Sequence, residues 1–110
     1  MTGNIRLKKE KDFVAVFNKG KRIYSKDLTL IYLPKESIKV GFAVSKKHGK
    51  SVVRNKIKRL LRESFRSFLP KIEQNFFFVF LPKISDEYSL EKFKSSMQYV
   101  LVKGGIIKND

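Results

Sequence analysis

Phe76 to Leu81 reads FFFVFL, six apolar residues in succession with no polar alternation. A strand with one face in water alternates, so an unbroken run is expected to be a central strand covered on both faces, ended here by Pro82. Something apolar must therefore lie on each side of the sheet that contains it. From about Lys8 to Asn18, Phe13, Val16 and Phe17 recur at helical spacing, and Gly20 supplies a stop. A second helix is expected from Ser51, which can cap it, to Leu69, before Pro70; Ile57, Leu60, Leu61, Phe65 and Phe68 share one side of its wheel. Ser89 can cap a third that turns Leu90, Phe93, Met97, Val100 and Leu101 inward and ends at Gly104 and Gly105. Ile106 to Asp110 is expected to fray.

Two further β-rich runs, Leu28 to Leu33 and Ile38 to Ser45, flank Pro34, Lys35, Glu36 and Ser37, a spacing that suggests an antiparallel hairpin with a longer loop. Lys19 to Asp27 is polar and basic. With 110 residues, no repeat and no low-complexity linker, the chain is expected to form one domain over residues 1–110, a compact α+β sandwich.

The second helix carries a contradiction. Lys46 to Arg66 holds nine of the 25 Lys and Arg and a single acid, Glu63. Arg54, Lys58, Arg62 and Arg66 recur every four residues, so each repels the next by about 0.2–0.5 kcal/mol. Arg54 and Lys56 also lie near the positive end of the helix dipole, which disfavours a cation by about 0.3–1 kcal/mol. Local rules broken without internal compensation tend to mark functional sites, and the compensation sought is a bound polyanion. Asn55, Lys58, Arg59, Arg62 and Arg66 fall together on another side, Lys58 and Arg62 toward the apolar boundary.

A formal charge of +15 directs the choice of polyanion to nucleic acid or an anionic membrane. The membrane reading needs the apolar face of the helix to be free for lipid, but the FFFVFL strand claims Ile57, Leu61 and Phe65 first. Nucleic acid is preferred. Met1 to Arg6 lacks the apolar core of a secretory signal and the longest apolar run is far short of about 20 residues for a span, so the expectation is a soluble, cytoplasmic protein. The absence of Cys fits that compartment, and ten Phe make the chain too apolar for a disordered basic tail.

Independent catalysis is not expected. Gly49-Lys50-Ser51 imitates the end of a phosphate-binding loop, but Val44 stands where that loop needs its first glycine. The acids are scattered, Glu10 and Asp12 in the first helix and Asp86 and Glu87 before the last, and a lone His48 cannot assemble a metal site. His48 is read as a solvated or RNA-contacting side chain. Phe13 and Phe17, one turn apart, are core by default; the functional alternative is a stacking platform for single-stranded nucleic acid, with Arg6, Lys8, Lys9 and Lys11 as its cations.

The run Lys50, Val53, Arg54, Asn55, Lys58, Arg59, Arg62, Glu63, Phe65, Arg66 resembles the RNR signature of the bacterial ribonuclease P protein component. Three other segments agree in order and spacing: Arg6-Leu7-Lys8 with Asp12-Phe13 and Val16-Phe17, then Val40-Gly41 with Val44-Ser45-Lys46-Lys47, then the apolar strand before Pro82-Lys83. The resemblance implies a sheet of about four strands packed with three helices and a left-handed βαβ crossover, against the usual preference. It also implies a non-catalytic subunit, with an RNA partner that removes the 5′ leader of precursor tRNA using Mg2+ held mainly by RNA.

Carried onto this chain, Lys46, Lys47, Lys50, Arg54, Asn55, Lys58, Arg59, Arg62 and Arg66 would bind the ribonuclease P RNA. Lys58 and Arg62 would also reach the substrate side, and Phe13, Phe17 and Tyr32 would line a cleft for the single-stranded leader. The family often places an aromatic on the first long strand; here Ile31 stands in that register and Tyr32 one position later, and a shift of one residue reverses the face. Neither a catalytic residue, a protein-borne metal site nor an obligatory protein partner is expected. The rival class is a structural ribosomal RNA-binding protein, which would not distinguish precursor from mature tRNA.

Overall fold

A computed structural model describes residues 5–108. The first part of the stretch read for a signal and the last two residues of the tail lie outside them. The order is α1 (Glu10–Lys19), β1 (Lys21–Tyr24), β2 (Leu28–Pro34), β3 (Lys39–Phe42), α2 (Ser51–Phe68), β4 (Phe76–Pro82) and α3 (Leu90–Lys103). A 3-10 turn at Lys46–His48 precedes α2, and another at Leu69–Lys71, holding Pro70, follows it.

The four strands lie in the order β1-β2-β4-β3. β4 is central, and Phe78, Val79 and Phe80 are fully buried, as an unbroken apolar run requires. Alternation along β4 sends its side chains into two cores. Phe78 and Phe80 join Leu28, Leu30 and Tyr32 beneath α2 and α3, while Phe77 and Val79 join Leu7, Val16 and Ile31 beneath α1. Phe65 of α2 packs on β4, its ring centroid 5.4 Å from that of Phe78 and 5.7 Å from that of Phe80. Burying each such ring contributes about 1.5–3 kcal/mol, several times the repulsion of one neighbouring cation pair, so the core can hold the charged helix in place.

Two expectations about the sheet are corrected. β2 and β3 do not form a hairpin, because β4 lies between them, antiparallel to β2 and parallel to β3. Local spacing favoured the hairpin, but the most apolar strand takes the position with two neighbours and two covered faces. The segment read only as polar and basic supplies β1, which pairs antiparallel with β2 from Lys21 opposite Tyr32 to Tyr24 opposite Thr29. Three of its four residues are exposed, so no apolar alternation marked it.

The free edge of β3 is closed by the residues before α1. Leu7 donates its N–H to the Val40 carbonyl at 2.9 Å, and Val40 donates to the Ile5 carbonyl at 2.7 Å. Boundaries shift too. Lys50, not Ser51, is the N-cap of α2 and contributes no side-chain bond, whereas Ser89 accepts from the Lys92 N–H as expected. Ile106 and Ile107 are buried in the α2/α3 core instead of fraying.

Candidate nucleic-acid interface

α2 presents its charged side as the wheel requires. Ile57, Leu60, Leu61, Phe65 and Phe68 are buried; Asn55, Arg59, Arg62 and Arg66 are exposed and Lys58 is half-buried. The helix has no acid in its first turn, and Lys46, Lys47 and Lys50 crowd the approach to its N-terminus. Amide groups without a side-chain cap, a positive dipole end and three lysines form a setting for phosphate oxygens. Arg54 turns back, its Nε donating to the Gly49 carbonyl at 3.2 Å, which leaves the rest of the guanidinium for an external acceptor.

The loop that carries the lysines is pinned. Gly49 has φ 128°, a conformation other residues rarely adopt, and Ser45 caps the turn before it. His48 Nδ1 lies 3.1 Å from the Ser45 N–H, an acceptor's position, and Nε2 lies 2.7 Å from the Pro82 carbonyl, which can only accept. The ring therefore bridges the turn to the end of β4 with both nitrogens engaged. The reading of His48 as solvated is corrected, and the side chain is not free for proton transfer.

Between α2, the first turn of α1 and the closed edge of β3 runs a groove of about 610 Å³. Its rim carries Arg6, Lys8, Lys58, Arg62 and Arg66 and no acid; Phe13 lies in its wall. Phe13 is held at Gly41, where a Cβ would come within 2.6 Å of the ring. Phe17 stands apart from that groove on the same side of the sheet. The Arg22 guanidinium lies 5.9 Å from its ring centroid and donates to the Phe17 carbonyl at 3.3 Å. Lys35 and Lys39 likewise cover the ring of Phe77 at 5.6 and 5.9 Å.

The structure therefore brings Phe13, Lys58, Arg62 and Arg66 together, sets Lys46, Lys47, Lys50, Arg54 and Asn55 around the start of the same helix, and leaves Arg59 exposed outside the groove. Tyr32 is a correction. Its ring is 9% exposed, on the α2/α3 side, edge-on to Phe76 at 5.4 Å. Ile31 holds the α1 side of β2, fully buried. The alternation of the strand decides between them, so Tyr32 cannot reach a ligand seated beside α1. Arg22 escaped sequence reading because it belongs to the strand that showed no pattern.

Among the described residues, no group of three or more His, Asp or Glu is placed to hold a metal ion. No helix there is long and apolar enough to cross a membrane. One ion pair within 4.0 Å is found among them, Lys92 with Glu87, so the α2 cations have no carboxylate partner at that range.

The family model for ribonuclease P matches residues 1–104. This chain belongs to the ribonuclease P protein family. The ribonuclease P protein component of Clostridium kluyveri is 40% identical over 108 residues, 94% of this chain and 96% of its own length. That of Bacillus velezensis is 36% identical over 106 residues, 94% of this chain and 91% of its own length. Among solved structures, the RNase P protein of Staphylococcus aureus superposes with a TM-score of 0.84 at 25% identity, covering 94% of this chain and 98% of its own. That of Thermotoga maritima gives 0.79 at 25% identity over 89% of this chain and 96% of its own. The three helices and the mixed four-stranded sheet of this chain match those RNase P protein structures, and here the cationic α2 connects the parallel strands β3 and β4. As a ribonuclease P protein component, the chain is a part of that enzyme and of tRNA processing.

Proposed function

We propose that this ribonuclease P protein works in the cytoplasm as the binding subunit of a ribonucleoprotein, gripping the ribonuclease P RNA through Lys46 to Arg66 and holding the 5′ leader of precursor tRNA along α1. The observation that carries the reading is the groove in which five cations and Phe13 face one another with no carboxylate on the rim. Cations neutralise phosphates without regard to sequence, and an aromatic ring beside them takes a base of an unpaired strand. A duplex offers phosphates but no open base face, so the pairing of the two favours a single strand next to structured RNA.

The chemistry follows from what the residues can do. Lys58, Arg62 and Arg66 screen the repulsion between the catalytic RNA and its substrate, which lowers the Mg2+ needed to bring them together. The scissile bond is cleaved by the RNA, with Mg2+ held mainly by RNA, and the protein adds affinity for precursor over mature tRNA through its leader contacts. Because the grip on the RNA is counterion release, it weakens steeply with salt. Reconstitution with a bacterial ribonuclease P RNA at low Mg2+ tests the proposal: cleavage of precursor tRNA rises when the protein is added. No rescue, or equal affinity for precursor and mature tRNA, would overturn it.

A further inference from the structure

We infer that Tyr24, carried by the edge strand β1, is a stacking ring for the leader. The inference rests on the leader reading above and names a residue that reading does not use. Register fixes its face. On β1 and β2, Arg22 lies opposite Ile31 and Tyr24 opposite Thr29, which in turn lies opposite Leu81 of β4. Ile31 and Leu81 pack in the core under α1, so Arg22 and Tyr24 point to the α1 side. Arg22 confirms the direction through its contact with Phe17.

Exposure distinguishes this ring from the other tyrosines. Tyr24 is 62% exposed, and among the described residues it has no aromatic partner and no side-chain hydrogen bond. Tyr32 is buried on the opposite face, and Tyr88 stacks on Phe93 while its hydroxyl accepts from the Ser85 N–H. Tyr99 is exposed, but on α3, across the sheet from α1, beneath its own Lys103. Beside Tyr24, Thr29 and Leu81 are only half-buried, so α1 leaves this row of the sheet partly open.

The chemistry matches one nucleotide. Residues two apart on a strand are separated by about 6.8 Å, so the Arg22 guanidinium can meet a phosphate while the Tyr24 ring takes the adjoining base. Leaving a large flat ring in water has no benefit for folding, and a cation held two residues away suits a polyanion better than an apolar partner. The occupant is a single-stranded 5′ leader that has passed Phe13 above β3 and reaches the far edge of the sheet.

The test uses holoenzyme reconstituted with a bacterial ribonuclease P RNA and labelled precursor tRNAs whose leaders are lengthened one nucleotide at a time. Tyr24→Ala is expected to weaken binding of long-leader precursor roughly five- to 150-fold, the range covered by one stacked base. Mature tRNA and the shortest leaders bind as before, and Tyr24→Phe keeps wild-type affinity because the ring, not the hydroxyl, does the stacking. Phe17→Ala is the control. If Phe17→Ala weakens long-leader binding and Tyr24→Ala does not, Tyr24 is no leader contact and the leader reading survives. If neither substitution separates precursor from mature tRNA, the leader reading falls and takes this inference with it. Equal loss for both tRNAs with Tyr24→Ala also overturns the assignment, pointing to a contact with structured RNA.

Discussion

Replacing Lys58 and Arg62 together with Ala separates the role of the cationic face in binding from its role in folding. Both line the groove, and neither belongs to an ion pair within 4.0 Å. At helical spacing they account for the like-charge neighbours 54–58, 58–62, 62–66 and 59–62. Deleting all four at about 0.2–0.5 kcal/mol each relieves roughly 1–2 kcal/mol of repulsion, part of which is offset by lost packing of the half-buried Lys58 stem. The free protein should therefore unfold at an equal or higher temperature. Binding should behave oppositely. If each cation neutralises one phosphate of duplex RNA, the slope of log affinity against log salt falls in magnitude by about 1.8. Between 50 and 200 mM salt, wild type then loses roughly tenfold more affinity than the variant. Filter binding to ribonuclease P RNA across that range reads the slope, and thermal melting by circular dichroism reads the fold. An unchanged slope would show that these side chains meet no phosphate, and a melting temperature lowered by several degrees would show that the face serves stability.

Two other substitutions follow from the corrected positions. Tyr32→Ala should destabilise the fold by about 3–5 kcal/mol in urea unfolding, as removal of a large buried ring does, while Tyr32→Phe leaves leader discrimination unchanged; selective loss of precursor binding in the Phe variant would place the residue in the cleft after all. His48→Ala removes the bridge from the basic turn to Pro82, so trypsin should cut after Lys46 or Lys47 faster than in wild type while the global melt changes little. An unaltered cutting rate would mean that the turn holds its shape without the imidazole.

Most of the architecture was written in strong periodicities. The wheel of α2 and the unbroken apolar run of β4 both constrain burial directly, and both took the expected faces. Partnership among strands was not legible from local spacing. Leu28–Pro34 and Lys39–Phe42 are separated by a loop of hairpin length, yet what joins them is a strand that arrives after α2. β1 was invisible because exposed edge residues such as Lys21 and Arg22 carry no alternation, and with it Arg22 and Tyr24 went unread. At the site, α2 and Phe13 could be found from charge and spacing. Which of Ile31 and Tyr32 faces α1 depended on a register that only the paired strands fix, and the bonds of His48 depended on Pro82, thirty-four residues away.

The place of β4 has a consequence for synthesis on the ribosome. A nascent chain that has emerged only as far as α2 has β2 and β3 but not the strand that joins them, and Phe65 has neither Phe78 nor Phe80 to pack on. Isolated helices with repelling charges are marginal in water, so the polycationic segment should stay unformed until Pro82 is exposed. Truncated products would then carry the positive charge without the ordered surface that discriminates among RNAs, and the competent binding face would be assembled only near the end of translation.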